Sequence, residues 1–266
     1  MGGLGEKHTY IGEDGKTYLF KHATTKGMGC APGKPCPVKA YASEAGYKIQ
    51  NIVDPDTAIK CFAETINIDG FETFGSSQEI IETQPTGDIF SQEHAPHMLR
   101  EFVTDWLLSN YDCNSGNFIK DKDGVLRGID KEQSFKYIAK KDAQQPNLDF
   151  DPEGTFSYKR FFRKHMSGDI NIDFSELETY ISRVEAIPTE EYMEIFAGYI
   201  NEVKSYSNTF NPGYGEYVES LIKSRKENLR VQMYDFVKNT LKSEPGFERE
   251  KIENITENVG EMPKIQ

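Results

Sequence analysis

The chain has no apolar run approaching the ~18 residues that a membrane-spanning helix needs, and it opens without the basic, apolar and small-residue order of a secretory leader. Cysteine is scarce. The four thiols stand at 30, 36, 61 and 113, and Cys30 and Cys36 enclose a Pro/Gly loop with no matching second pair and no neighbouring His. That is not a zinc spacing, so all four are read as reduced. Positive charge is also in deficit: 31 Lys and Arg face 43 Asp and Glu, a formal net charge of −12. A protein that grips a phosphate backbone carries an excess of cations, so no nucleic-acid partner is expected. Internal repeats and low-complexity stretches are absent. These absences leave a soluble, cytoplasmic protein as the expectation.

Material for a core is plentiful. Of 266 residues, 37% are hydrophobic and 28% charged, with 14 Tyr and 17 Phe, which suits an ordinary globular chain long enough for one large domain or two small ones. The charge is uneven. Residues 1–41 hold six Lys against three acidic side chains, and Tyr158-Lys159-Arg160-Phe161-Phe162-Arg163-Lys164-His165 forms a second basic island. Two readings of that island stand side by side. It is a helix whose Phe161 and Phe162 pack inward under solvated charges, or it receives an anion: an acidic substrate segment, a lipid headgroup, or a phosphate added at Thr155 or Ser157.

The first third reads as strands with one helix. Thr9-Tyr10-Ile11 and Thr17-Tyr18-Leu19-Phe20 flank Asp14-Gly15, a hairpin turn signal. A Gly-, Pro- and Lys-rich loop runs from Ala23 to Pro37. Ala42, Ala45, Ile49, Ile52 and Val53 then recur at helical spacing until Asp54-Pro55 stops them. Strands are predicted at Thr57 to Ile66 and Phe71 to Ile81, and Gln84-Pro85-Thr86-Gly87 marks a boundary. Beyond it, Met98, Leu99, Phe102, Val103, Trp106 and Leu107 make a strong apolar face on a helix from about Pro96 to Ser109. A short hairpin pairs Asn117-Phe118-Ile119 with Val125-Leu126. After about residue 153 the chain reads as helical, with one long amphipathic helix through Tyr217, Leu221, Leu229, Met233, Phe236 and Leu241.

Phosphoryl transfer needs a backbone cradle for phosphates, a Lys to neutralise them, oxygen ligands for a metal, and a carboxylate for the attacking hydroxyl. Each has a candidate in order along the chain. Gly2-Gly3-Leu4-Gly5-Glu6-Lys7 leads into a strand, and Gly3, Gly5 and Lys7 would cover phosphates. Lys21 ends the next strand, and Glu44 on the following helix is expected to hold its ammonium. Asp112-Cys113-Asn114-Ser115-Gly116-Asn117 separates an Asp from an Asn by four residues, the spacing of a kinase catalytic loop. Asp112 would face the acceptor, while Asn117 and Asp130 would hold the metal. A rival calcium loop through Asp121-Lys122-Asp123-Gly124 fails, because its first ligand position is Ile119 and its ninth is Arg127.

With these motifs the chain resembles the phosphatidylinositol 3-/4-kinase-like superfamily, nearest to type II phosphatidylinositol 4-kinases and bacterial HipA-type protein kinases. The resemblance rests on Gly5 through Lys21, on Asp112 to Asn117, and on Gly128-Ile129-Asp130 through Phe135. Leu19-Phe20-Lys21-His22 is similar to the Val-Phe-Lys-Pro of the type II pattern, and Ile129-Asp130 to its metal motif. The resemblance implies an α+β, two-lobed kinase-like fold, with a small strand-rich N-lobe over 1–86 and a mainly helical C-lobe over 87–266. It further implies ATP with Mg²⁺ or Mn²⁺ as cofactors. The expected activity is a bacterial-type protein kinase acting on a protein hydroxyl. A lipid or small-molecule kinase and a catalytically dead nucleotide-binding module are the alternatives.

The chain also departs from the pattern. Cys113 replaces the usual arginine after the catalytic Asp, Asn114 replaces the histidine of 3-kinases, and Glu132 stands where the metal motif has glycine. Asp142 to Thr155 occupies the place of an activation or substrate loop. A kinase small lobe carries a strand before its glycine loop, so the natural protein is expected to extend beyond residue 1.

Overall fold

In the computed structural model the described residues are 7–23, 37–146 and 157–240. They form a mixed helix-and-sheet fold with two small antiparallel sheets. The hairpin predicted around Asp14-Gly15 joins β1 (Lys7–Ile11) to β2 (Thr17–His22). After α1 (Pro37–Val53) come β3 (Cys61–Ile68) and β4 (Phe71–Glu79), and the sheet order is β1-β2-β4-β3. This order makes β2 an inner strand, with Lys21 opposite Lys7 on one side and Ser76 on the other. Side chains alternate across a strand. Tyr18 and Phe20 are buried on one face, while Lys21 shares the other with Ser76 and Phe74. Phe74 meets Tyr41 of α1, ring centroids 5.4 Å apart, so Lys21 lies on the face that α1 covers.

The second sheet has the order β5-β6-β7, from β5 (Thr83–Gln84), β6 (Phe118–Asp121) and β7 (Leu126–Gly128). Between β5 and β6 runs α2 (Ala95–Leu107). The six apolar residues predicted for its inner face are all buried, each contributing about 1.5–3 kcal/mol. The opposite face is buried as well: Arg100, Glu101, Thr104 and Asp105 are covered. This helix is therefore wrapped on all sides, and its charges need partners. The remainder is helical, comprising α3 (Ser157–Met166), α4 (Glu176–Glu185), α5 (Thr189–Glu194), α6 (Ala197–Phe210), α7 (Tyr214–Glu227) and α8 (Leu229–Asp235). Among the described residues no helix is long and apolar enough to cross a membrane.

Three boundaries differ from the sequence reading. The first helix starts at Pro37, several residues earlier than its apolar pattern, because Pro is well suited to a first helical position. The third strand starts only at Cys61, since Asp54 to Thr57 forms a turn closed by Thr57 Oγ1 donating to Asp54 O. The single long helix through Tyr217 to Leu241 is broken at Asn228, with a π-helical turn (Phe236–Thr240) after α8. Asn228 Nδ2 donates to Ser224 O at 2.8 Å, the local side-chain bond by which Asn competes with a helix interior.

Two glycines permit close approaches that position the site. At Gly75 an added Cβ would lie 2.2 Å from Lys21 O, and at Gly128 it would lie 2.2 Å from Glu101 Oε2 and 2.7 Å from Lys131 Nζ. Gly128→Ala is therefore expected to lower stability by about 2–3 kcal/mol through overpacking of a charged network. Denaturant titration with an unchanged slope checks this, and a loss below ~0.5 kcal/mol contradicts the packing described.

Candidate active site

The site is built on a buried ion cluster. Lys131 Nζ lies 3.0 Å from Glu101 Oε2 and 2.7 Å from Asp105 Oδ1, and these three residues expose only 5%, 1% and 2% of their surface. Burial works against the Lys131 ammonium, but Asp105 and Glu101 outweigh it and hold its pKa above the ordinary value. Burial likewise works against the Glu101 carboxylate, yet Lys131 and Arg100 hold its pKa below the ordinary value. Arg100 Nη2 also donates to Leu126 O at 2.6 Å, and Gln50 Nε2 to Gly128 O at 2.8 Å. The chain from Leu126 to Lys131 is thereby fixed to α1 and α2.

Asp130, next to Lys131, sits in the left-handed region at φ 59°, ψ 54°, which Asp tolerates better than most residues. Phe135 also has a left-handed φ of 63°. For a bulky residue this is a strain of about 1–3 kcal/mol, held by its surroundings. Its N–H donates to Leu108 O at 2.9 Å, and its ring is packed against Phe196 and Tyr199. The segment carrying Asp130 is thus pinned at both ends.

The Asp112 to Asn117 loop begins where α2 ends. Asn110 N donates to Asp105 O at 2.8 Å, Asn110 Nδ2 to Asp105 Oδ1 at 2.9 Å, and Asp112 N to Asn110 Oδ1 at 3.3 Å. Asn114 accepts from Gly116 N at 2.8 Å and donates through Nδ2 to Asp112 Oδ1 at 2.5 Å. Asn117 Nδ2 donates to Asp112 O at 2.7 Å, and Ile129 N donates to Asn117 O at 2.8 Å. Asn117 therefore links the Asp112 loop to the residue before Asp130. Cys113, the departure after Asp112, is buried with its thiol on Asn110 O at 3.2 Å, and burial pushes its pKa well up.

Lys21 reaches across from the first sheet. Its Nζ is 2.8 Å from Asp130 Oδ1 and 3.9 Å from Glu132 Oε2. Burial opposes its charge, but Asp130 and Glu132 more than offset this and raise its pKa. The expected Lys21–Glu44 pair does not form. Glu44 instead pairs with Lys48 one turn along α1, at 2.9 Å, where the i,i+4 spacing favours it. The second carboxylate near Lys21 comes from Glu132, whose other oxygen takes Lys39 of α1 at 3.0 Å. Helix α1 thus brings a cation to the cluster.

Of the sequence candidates, Lys21 and Asp130 are in direct contact, Asn117 and Asp112 are bonded to each other, and Lys7 is the register partner of Lys21. Gly3 and Gly5 lie outside the described residues, as do Cys30, Cys36, Thr155 and most of the proposed substrate loop. Asp121 of the rejected calcium loop accepts from Asp123 N and Val125 N and pairs with Arg127 at 2.6 Å. Sequence reasoning missed Lys39, Glu101, Asp105 and Lys131. Glu132 carried a signal, since it stands where the motif has glycine.

Among the described residues no cluster of three or more His, Cys, Asp or Glu forms a metal site. The donors expected from the sequence, Asn117 Oδ1 and Asp130, are an amide and one carboxylate, and Asp130 Oδ1 is engaged by Lys21 at 2.8 Å. Donors of this type are those Mg²⁺ accepts when water and phosphate complete its shell. A scan against protein-family models finds no match, and a search of curated proteins finds none either.

Removing Lys131 leaves buried Asp105 without its cation and Glu101 with Arg100 alone, at 3.3 Å, so Lys131→Met is expected to lose about 3–5 kcal/mol. In the parent protein the Glu101 carboxyl holds its proton less tightly when folded than when unfolded. Its contribution is therefore full above the ordinary carboxyl value of 4.5 and is lost as pH falls through the lower folded value. Denaturant midpoints measured from neutral pH downward check both statements. A Lys131→Met loss below ~1 kcal/mol contradicts the account.

Proposed function

We propose that the chain is an ATP- and Mg²⁺-dependent phosphotransferase with a two-lobed kinase-like arrangement, transferring the γ-phosphate to a protein hydroxyl. The observation that carries this reading is the 2.8 Å contact between Lys21 on the first sheet and Asp130 beside the second. A phosphate-binding cation and a metal-binding carboxylate, 109 residues apart, meet at a junction that also holds the Asp112–Asn117 loop. A sheet with one covering helix followed by a helix-rich remainder is the order a kinase-like fold would have.

Each side chain then has one task. The Lys21 ammonium, kept charged by Asp130 and Glu132, neutralises nucleotide phosphates. Glu132 ties Lys21 to Lys39 of α1 and so restrains the ammonium when phosphate replaces Asp130 as its partner. Asn117 gives its amide nitrogen to the Asp112 carbonyl, which leaves its oxygen for a cation. A bound Mg²⁺ would supply charge neutralisation for the transferring group. Asp112 holds one oxygen on Asn114 Nδ2, and its other oxygen orients the acceptor hydroxyl and takes its proton. Asn114 thus positions the base and takes no proton itself.

Turnover of labelled ATP with Mg²⁺ tests the reading. The parent protein is expected to turn over ATP, and Lys21→Met to lose activity by about 100-fold or more while staying folded. Parent-level turnover in a folded Lys21→Met protein rejects the assignment. Nucleotide binding without turnover in the parent would leave a binding module.

A further inference from the structure

The basic island forms α3 as a packed helix. Phe161 and Phe162 are fully buried, Lys164 pairs with Asp88 at 2.8 Å, and the Arg160 guanidinium lies 4.8 Å from the Phe90 ring centroid. The cation that lacks an explanation lies elsewhere. Arg225, on α7, exposes only 2% of its surface, and among the described residues no carboxylate pairs with it. Burial pulls its pKa down to about 10, so the guanidinium is charged at neutral pH without a counter-ion. A charge so placed is costly, and an apolar side chain of similar size is often the more stable filling. The reason for it lies in what it holds.

Two separate segments meet on this side chain. Nη1 donates to Trp106 O in the last turn of α2, and the guanidinium lies 4.8 Å from the Trp106 ring centroid. Nη2 donates to Ala143 O, 82 residues away, in the 3-10 turn Lys141–Ala143. The last turn of α2 has no basic residue of its own, so Arg225 supplies the cation that the negative end of this helix favours. The helix does not need it in order to stop. Ser109 N already donates to Trp106 O at 2.9 Å, and Ser109 takes the left-handed φ of 44° that ends a helix. The turn at Ala143 is likewise closed by its own bond, from Ala143 N to Lys140 O at 3.0 Å. What Arg225 adds is a fixed relation between the two segments.

Both segments border Asp112. From Trp106 the chain runs through Ser109 and Asn110 to Asp112, whose N–H donates to Asn110 Oδ1 at 3.3 Å. Ala143 stands at the head of the stretch 142–155, which occupies the place of an activation or substrate loop. On the way to it, the Tyr137 ring meets that of Tyr111, the neighbour of Asp112, at 4.6 Å. A planar guanidinium holds two carbonyls at once in a fixed geometry that a lysine ammonium does not have.

We propose that Arg225 is a positioning residue that clamps the end of α2 to the head of the 142–155 stretch and so sets the place of Asp112. The clamp stands on the two hydrogen bonds. That Asp112 is thereby aimed at a phosphoryl acceptor rests on the phosphotransferase reading. Nucleotide is assigned to Lys21 and Asp130, whose segment is fixed by Lys131 and not by Arg225. Loss of the clamp therefore lowers turnover without weakening ATP binding.

Hydrogen exchange of the whole protein without nucleotide, read by mass spectrometry, tests the clamp. In Arg225→Met, peptides covering 107–117 and 138–146 are expected to exchange about tenfold faster or more, while peptides of β3 and β4 keep the parent rate. Arg225→Lys keeps the charge and loses the fork. It is expected to free at least one of the two segments, and it carries the test if the Met variant does not fold. Parent rates in either segment of a folded Met variant, or in both segments of the Lys variant, overturn the proposal. So does an equal acceleration over the whole chain, or failure of both variants to fold, either of which makes Arg225 a general stabiliser. With labelled ATP and Mg²⁺, the folded variants are expected to lose about tenfold or more in kcat, with KM for ATP within about twofold of the parent. A raised KM for ATP with kcat unchanged overturns the positioning role. Faster exchange confined to the two segments, in a protein that turns over no ATP, supports the clamp and removes only the phosphotransferase reading.

Discussion

The ammonium of Lys131, buried between Glu101 and Asp105, is the interaction on which the rest of the site depends. It is one residue from Asp130 and bonded to two carboxylates of α2, so it sets where Asp130 stands relative to the helix that launches the Asp112 loop. Asp105 extends the same cluster to Asn110 on one side and Tyr158 on the other. A single buried cluster therefore holds the Asp130 segment, the Asp112 loop and the head of α3. Such clusters add little net stability over apolar packing, but they are strongly destabilising when one member is removed. Here the return on that vulnerability is fixed geometry.

Lys21 is held by a different device. Its strand is paired on both sides, so its side chain can take only one face of the sheet. The contact with Asp130 and the Glu132–Lys39 link then join that face to α1 and to the Lys131 segment. A kinase-like scheme with a helix glutamate on the lysine would place the negative charge on α1. In this chain α1 contributes Lys39, and the second carboxylate beside Lys21 comes from Glu132.

Much of the architecture was legible because strong periodic signals coincide with it. The apolar face of α2 and the hairpin at Asp14-Gly15 are local patterns that tertiary packing reinforces. The buried charges of α2 were not legible: nothing local at Arg100, Glu101 and Asp105 reveals that Lys131 and the Leu126 carbonyl will partner them. Glu44 was assigned to Lys21 because a helix glutamate at that place is chemically reasonable. Its neighbour Lys48 is closer in the helical repeat, and which turn of a helix faces a strand is a tertiary property. Motif order assigned Lys21 and Asp130 to one site, but their direct contact was not anticipated, because Glu44 was given as the partner of Lys21.

Titration calorimetry of ATP into the protein, with Mg²⁺ and then with EDTA, addresses the central claim most directly. If Lys21 and Asp130 belong to a nucleotide–metal site, ATP binds in the presence of Mg²⁺ and much more weakly in EDTA, and Asp130→Ala loses that difference. Equal affinity with and without metal in the parent protein, or metal-dependent binding that survives unchanged in a folded Asp130→Ala variant, would contradict it.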